Sequence, residues 1–356
     1  MRLGRTIPQA FQMAKPTAID LFSGCGGLTL GLKQAGFDVV GAFERDQDAI
    51  ETYRANHPEV PIWEGDIRSF SPTAVMRALK FKRGELDLLA GCPPCQGFSS
   101  LRTRNGAVRN KDRRNSLVRE MLRFAEAFRP KAIMMENVPR LGAKKSFTNL
   151  RSGLRKLGYE IRWDVKDMAK YGVPQRRKRL ILVAGMKFKI DFATEARKVK
   201  TVRAAIGDLK PVPCGRDRLH DIPEYRSADV ERRIRSIPKN GGSRSDLPRS
   251  RQLRCHKDFD GFKDIYGRMA WDDVSPTITS GCFNPSKGRF LHPRYNRAIT
   301  LREAAVLQSF PRRYRFPTDK GKQTLALMIG NALPPEFIRR QALAIVRALK
   351  NQKLAR

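Results

Sequence analysis

Apolar strand-like runs alternate with amphipathic helix-like runs from residue 15 to residue 185, and few folds accommodate such a pattern. The alternation is typical of βαβ units and predicts an α/β fold with a mostly parallel sheet. Ligand sites in such sheets lie at the carboxyl ends of the strands, so the residues that follow each strand are the first candidates for a functional site. The predicted strands are residues 17–22, 38–44, 86–90, 132–136, 160–164 and 180–184, and the predicted helices are residues 27–35, 46–56, 116–128 and 149–157.

The pattern changes after about residue 187. Residues 190–270 are rich in Arg, Asp, Pro and Gly and have weak periodicity, with one short helix predicted at residues 229–237. Helical periodicity returns at residues 300–308, where Thr300 and Glu303 fit a capping box, and again at residues 336–349. We therefore predict three parts, at residues 1–189, 190–295 and 296–356, of which the second is a smaller irregular domain.

The charge balance points to an anionic partner. The chain has 71 Lys and Arg residues against 35 Asp and Glu, a net charge of +36. Repulsion among so many positive charges destabilises a compact fold unless an anionic partner binds to it. Nucleic acid is the obvious partner, because each phosphate that a cation neutralises releases a counterion. The alternative is a generally basic proteome, and charge alone identifies no reaction.

Length and cysteine usage set the class of protein. With 356 residues, 40% of them hydrophobic, the chain is long enough to bury a large core. No apolar run approaches the roughly 18 residues of a membrane span, and residues 1–16 lack the apolar core of a secretory signal. The six cysteines do not make a disulfide framework, and their spacing with histidine is not that of a zinc site. We expect a cytoplasmic protein with no membrane contact and no metal.

A glycine-rich turn follows the first predicted strand and opens the first helix, at Phe22-Ser23-Gly24-Cys25-Gly26-Gly27-Leu28. Glycines there allow close backbone approach of a ligand to a helix N-terminus, although a purely structural turn is the alternative. Glu44 ends the next strand, where it can accept hydrogen bonds from ribose hydroxyls, and Asp66-Ile67 offers a carboxylate and an apolar side chain to an adenine. Together they describe a nucleoside pocket without a pyrophosphate cradle, which suits S-adenosylmethionine better than a nicotinamide dinucleotide.

A stiff turn carries the candidate nucleophile. Gly91-Cys92-Pro93-Pro94-Cys95-Gln96-Gly97 follows the strand at 86–90, and the two prolines fix the backbone before Cys95. A cationic neighbourhood lowers the pKa of a thiol placed in this way. A redox pair of Cys92 with Cys95 is the competing interpretation, but such pairs usually open a helix. We expect Cys92 to be a packed residue under the turn.

An ordered series of motifs resembles the DNA cytosine-C5 methyltransferase family, in its bacterial single-chain form. The glycine-rich turn and Pro94-Cys95-Gln96 are followed by Glu136-Asn137-Val138 and by Gln175-Arg176-Arg177-Lys178-Arg179. The resemblance covers about residues 16–345, apart from a stretch between Met186 and Trp271, and Leu333 stands where valine is common. Its remaining motifs are Arg302-Glu303, Leu307-Gln308-Ser309-Phe310-Pro311 and Gly330-Asn331-Ala332-Leu333-Pro334-Pro335.

The resemblance implies a Rossmann-like S-adenosylmethionine-dependent methyltransferase fold with a target-recognition domain at residues 190–295. It makes Cys95 the nucleophile at cytosine C6, Glu136 the group that holds or protonates N3, and Arg177 with Arg179 the basic groups at the base carbonyl and the catalytic centre. It also implies that the final helix packs back on the first domain. The expected cofactor-binding residues are Phe22, Ser23, Gly24, Gly26, Gly27, Leu28, Glu44, Asp66, Ile67, Pro94, Asn331 and Ala332.

A long polar loop follows the nucleophile, and in the resembled family it closes over DNA. The target carbon lies inside the duplex, so the cytosine has to be flipped out before attack. The expected DNA-binding residues are Gln96, Ser99, Arg102, Arg104, Arg109 and Arg113.

The implied function is methylation of cytosine C5 in a specific sequence of double-stranded DNA. A nucleoid-associated monomer is expected, with a cognate restriction endonuclease as a candidate partner. A tRNA-methylating branch is the nearest rival, but its Cys-Phe-Thr sequence is replaced here by Cys282-Phe283-Asn284. Amino-group methyltransferases need no nucleophile, so Cys95 argues against them. A catalytically silent DNA-binding regulator would not need Cys95, Glu136 and both arginines together.

Overall fold

The computed structural model describes residues 14–94, 117–252 and 264–354. A seven-stranded sheet has the order β3-β2-β1-β4-β5-β7-β6, in which β7 is antiparallel to β5 and β6 and all other neighbours are parallel. The predicted α/β fold with a mostly parallel sheet is therefore confirmed. The strands are β1 Thr17–Leu21, β2 Asp38–Glu44, β3 Ile62–Glu64, β4 Leu88–Gly91, β5 Ala132–Asn137, β6 Tyr159–Asp167 and β7 Lys178–Met186.

Ten α-helices occur in the described parts of the chain. The capping box predicted at Thr300 and Glu303 is present at the start of the eighth. Short 3-10 helices cover Ile67–Ser69, Pro139–Ala143, Met168–Tyr171, Arg244–Asp246, Arg249–Arg251, Pro285–Lys287 and Thr318–Lys320. The α-helices are α1 Gly27–Gln34, α2 Gln47–Asn56, α3 Pro72–Ala78, α4 Val118–Phe128, α5 Lys145–Lys156, α6 Val202–Ile206, α7 Ala228–Ser236, α8 Leu301–Leu307, α9 Lys322–Asn331 and α10 Pro335–Leu354.

Helices cover both faces of the sheet. On one face, α1 packs against α10 so closely that a Cβ on Gly31 would lie 2.6 Å from the Pro335 carbonyl oxygen. On the other face, α3, α4 and α5 bury side chains such as Val75, Phe124 and Phe147. The final helix thus packs on the first one, as the sequence resemblance implied. No helix among the described residues is both long enough and apolar enough to cross a membrane.

A third apolar cluster joins the segments on either side of residue 295. It combines Val202 and Ile206 of α6 with Ile278, and these pack with Leu301 of α8 and Leu325 of α9. Residues from both of the later predicted parts therefore share one core, and the boundaries at 189/190 and 295/296 remain predictions.

The irregular region between α7 and α8 is organised around Arg268, which is fully buried. Its guanidinium donates to the carbonyl oxygens of Ile234 (3.0 Å) and Ile237 (3.4 Å) at the end of α7, and to that of Pro238 (3.2 Å). It also donates to the His292 and Tyr295 carbonyls, at 2.7 and 2.6 Å. Because the accompanying apolar cluster is small, this arginine supplies much of the order of the region.

We expect Arg268→Met to destabilise the irregular region by at least about 3 kcal/mol, because several buried carbonyl groups lose their donor at once. Urea denaturation followed by the fluorescence of nearby Trp271 measures the change. The matched control is Arg232→Met, whose side chain is exposed on α7. Equal stability of the two variants would contradict the role assigned to Arg268.

Candidate active site

A cavity of about 550 Å³ lies at the carboxyl ends of β1, β2, β4 and β5, where the sequence placed its candidates. Residues 277–280 and the end of α9 close its other side. Nearly all the predicted residues that the structure describes line it. They are Phe22, Ser23, Gly24, Gly27, Leu28, Glu44, Asp66, Ile67, Pro94, Asn331 and Ala332, together with Glu136, Arg177 and Arg179.

The glycine-rich turn after β1 needs an unusual backbone. Phe22 and Gly24 have φ values of 66° and 54°, in the left-handed region that glycine adopts most readily. A Cβ built on Gly24 would meet no atom within 4 Å, so this residue leaves the wall open. The Gly24 amide donates to the Glu44 carboxylate at 2.8 Å, which ties the turn to the end of β2.

Gly26 is not among the residues that line the cavity, and its predicted contact with the cofactor stays a prediction. A Cβ at this position would lie 2.6 Å from the Tyr314 hydroxyl and 2.7 Å from the His57 ring. The glycine is required by the side chains packed behind the turn. The pattern of glycines did not separate those that face a ligand from those that face the core.

Gly27 is the point where α1 meets the segment that follows α9. Its added Cβ would lie 2.5 Å from the Leu333 carbonyl oxygen, a contact that only a shift of backbone relieves. We expect Gly27→Ala to weaken binding of the predicted cofactor, S-adenosylmethionine, more than tenfold, because Asn331 and Ala332, two of the predicted cofactor contacts, move with that segment. Isothermal titration calorimetry measures the affinity. The control Gly36→Asn lies at an exposed turn with open space around it and should bind as the parent does.

Two carboxylates stand at the predicted nucleoside end. Glu44 accepts the amides of Gly24, Arg45 and Asp46 at 2.8, 2.8 and 3.0 Å, so it is held in place by backbone. Asp66 pairs with Arg68, whose hydrogen bonds lower the pKa of that carboxyl to about 2. Both groups are therefore fixed acceptors at the cavity wall.

Glu136 lies at the end of β5 and is only 9% exposed. Its Oε1 is 3.1 Å from Arg179 Nε, and the Cys92 thiol lies near its carboxyl group. Burial raises the pKa of Glu136 despite the opposing effect of Arg179 and Arg177. The carboxyl group of Glu136 therefore stays protonated to a higher pH than that of an ordinary glutamate, which suits an acid catalyst.

The residues of the basic motif alternate between the cavity and the surface. Arg177 is buried and Arg179 faces Glu136, whereas Arg176 and Lys178 are exposed. Arg177 donates to the carbonyl oxygens of Ile278 (3.1 Å), Gly330 (3.2 Å) and Ala332 (3.4 Å). Burial lowers the pKa of its guanidinium to about 9. This arginine joins the sheet to both segments that close the cavity, a role that the sequence did not reveal.

Asn137 belongs to the Glu136-Asn137-Val138 motif, in which the sequence assigns a role only to Glu136. Its side-chain amide donates to the Pro93 carbonyl at 2.9 Å, and its oxygen accepts the Val138 amide at 2.9 Å. The Cys92 amide bonds to the Leu21 carbonyl at 3.2 Å, so the proline turn is anchored from two strands. Cys92 packs against the core, as expected, but it also lines the cavity beside Glu136.

Several predicted residues lie outside the part of the chain that the structure describes. Within the described part, no three His, Cys, Asp or Glu side chains form a group that could hold a metal ion. The predicted residues outside it are Cys95, Gln96, Ser99, Arg102, Arg104, Arg109 and Arg113.

Comparisons with known proteins agree on one family. Residues 17–347 match the model of the C-5 cytosine-specific DNA methylases. The Type II methylase M.HgiDII of Herpetosiphon aurantiacus is 36% identical over 93% of this chain and 95% of its own length. The Type II methyltransferase M1.HphI of Haemophilus parahaemolyticus is 32% identical over 94% and 88%.

Solved structures share the fold. A DNA modification methyltransferase encoded within an E. coli prophage superposes with a TM-score of 0.72 at 24% identity, over 94% of this chain and 99% of that one. Spodoptera frugiperda DNMT2 superposes with a TM-score of 0.60 at 18% identity, over 93% and 99%.

Proposed function

The chain belongs to the C-5 cytosine-specific DNA methylase family and is a DNA (cytosine-5-)-methyltransferase, and from this premise we propose that it uses S-adenosylmethionine and a covalent Cys95 adduct. The proposal rests on one observation, that Glu136, Arg179 and the glycine-rich turn line the same cavity. Pro94, the residue before Cys95, lines it as well.

The cavity fits the cofactor in size and in donor set. The fixed carboxylate of Glu44 would accept the ribose hydroxyls, and Asp66 with Ile67 would take the adenine edge and face. Gly24 leaves open space for close approach, and Asn331 with Ala332 closes the pocket from the end of α9. When bound, S-adenosylmethionine supplies an electrophilic methyl group on a sulfonium.

The reaction requires activation of a poorly nucleophilic carbon. Attack of the Cys95 thiolate on C6 of cytosine breaks the aromatic system and makes C5 enamine-like, able to accept a methyl group. The proline turn, held by Asn137 and the Leu21 carbonyl, would fix the approach of the thiol. The C5 proton then leaves to water, the C6–S bond breaks to release the Cys95 thiolate, and the N3 proton returns to the Glu136 carboxylate, which restores the neutral aromatic ring.

Glu136 is assigned to N3 of the flipped cytosine. In its protonated form it donates to N3 as the adduct forms, so that negative charge does not build up on the ring. Arg179 holds one carboxyl oxygen at 3.1 Å, which fixes the direction of the carboxyl group. We assign Arg179 to the base carbonyl as well, and Arg177 to the support of the cavity wall.

Double-stranded DNA is the proposed substrate, read by residues 190–295 as a target-recognition domain. Gln96, Ser99, Arg102, Arg104, Arg109 and Arg113 would close over the flipped base and exclude water from the adduct. The enzyme would act as a monomer on nucleoid DNA. The Type II names of its relatives support a cognate restriction endonuclease as partner.

Bisulfite sequencing of DNA and RNA from cells expressing the protein tests the substrate and the target together. We expect protected cytosines at one short sequence in DNA. Protection confined to tRNA would replace the DNA substrate, and no protection in either would contradict the activity.

A further inference from the structure

A second cavity, of about 570 Å³, lies at the opposite edge of the sheet, where β4 and β5 begin and β7 ends. Lys131 precedes β5 and Glu136 lies near its other end, so the strand length of roughly 20 Å separates this cavity from the active site. Its floor is apolar, and no acidic residue is among the described residues that line it. Its cations are Arg83, Arg129, Lys131 and Lys353.

The positive charge at this edge is largely uncompensated. Arg83 and Arg129 donate to the neutral carbonyl oxygens of Glu126 (3.3 Å) and Leu157 (2.8 Å). Lys131 is paired with Asp87 at 2.8 Å. Across residues 14–94, 117–252 and 264–354, no carboxylate forms an ion pair with Arg83, Arg129 or Lys353.

Three cations of this edge occupy backbone positions that favour glycine. Lys80, Arg129 and Lys187 have φ values of 57°, 45° and 62°. Arg129 lines the second cavity, Lys187 stands between its lining residues Met186 and Phe188, and Lys80 lies three residues before Arg83 in the chain. Glycine adopts this left-handed conformation without steric cost. A charged side chain therefore stands at each of three turns where glycine would adopt the backbone conformation without strain.

We propose that Lys80, Arg83, Arg129, Lys131, Lys187 and Lys353, the amino-edge basic surface, bind the phosphate backbone of a second segment of duplex DNA. The site is sequence-independent and lies beyond the methylation chemistry proposed above. Duplex DNA is stiff over about 150 base pairs, so a short segment held at the active site does not reach the opposite edge. A second segment held there stays at high local concentration and can be transferred to the active site.

Bridging of two duplexes by the full-length protein tests the proposal. Duplexes of about 20 A·T base pairs, labelled with donor or acceptor dyes, are mixed with the protein, and energy transfer and sedimentation are measured. The variant is Arg83→Glu with Lys353→Glu, both exposed and without ion pairs among the described residues. The control, Arg313→Glu with Arg347→Glu, makes the same charge change at exposed positions outside both cavities and outside residues 190–295.

We expect the parent and the control to form complexes of one protein with two duplexes. The Arg83/Lys353 variant should need at least tenfold more protein for the same energy transfer, while methylating a short duplex at the parental rate. Absence of bridging by the parent, or equal loss in the control, would overturn the proposal. So would bridging that inorganic phosphate abolishes at constant ionic strength, which would assign the surface to small anions. Methyl transfer is read separately, so its failure leaves the bridging result interpretable.

Discussion

Replacement of Cys95 by alanine is expected to abolish methyl transfer, with a loss of at least about 10⁴-fold, because no other group supplies the bond to C6. Binding of duplex DNA should stay within a few-fold of the parent, since the thiol contributes little to phosphate contacts. A tritiated-methyl assay and a fluorescence anisotropy titration measure the two quantities.

Cys214→Ala serves as the matched control, since this free cysteine does not line the active-site cavity. It should retain full activity. Substantial methyl transfer by the Cys95 variant would exclude the covalent mechanism. Loss of methyl transfer in both variants would instead indicate that the protein preparations were oxidised or misfolded.

Glu136→Gln is expected to lower the single-turnover rate by roughly 10²- to 10⁴-fold, the usual contribution of a positioned acid. Glutamine preserves the shape of the side chain but cannot supply the proton to N3. The pKa of Glu136 is raised by burial, so its protonated form persists to higher pH than that of an ordinary carboxyl group. The parental rate should be highest below that pKa and fall as pH rises through it.

The pH profile separates catalysis from folding. The amide introduced by Glu136→Gln does not titrate, so the decline of rate at rising pH should disappear while the melting temperature changes little. Glu126→Gln is the control, an exposed acid on the outer surface of α4 whose loss should leave both rate and profile intact. An unchanged profile in Glu136→Gln would assign the titration to another group.

Much of the fold followed from periodicity, and the exceptions have physical reasons. Strand β3, Ile62–Glu64, is too short to show an alternating pattern. Helix α9 was missed because the apolar Leu327 is exposed on the side opposite the buried Leu325 and Ile329, so the contrast between the two faces is weak. Helix α3 is only one to two turns long, although Ser71 before Pro72 is a typical N-cap signal.

The active site was predictable where chemistry demands a particular residue type at a strand end. Glu44 and Glu136 are such cases, since each ends a strand that periodicity had placed. Asn137 and Arg177 were harder, because their partners are backbone carbonyls whose positions depend on tertiary structure. Gly26 shows the same limit, since its neighbours Tyr314 and His57 come from distant parts of the chain.

The hydrogen bonds of Arg268 all end on residues between Ile234 and Asn296. The hydrogen bonds of this centre therefore all lie within the region, whereas Ile278 of the same region also bonds to Gln175 and Arg177. Recombination that exchanges the whole block carries the centre along, whereas a crossover between residues 238 and 268 separates Arg268 from its acceptors Ile234, Ile237 and Pro238. On our proposal that residues 190–295 recognise the target, exchange of this block as one piece is the route to a new sequence specificity that keeps Arg268 with all its acceptors.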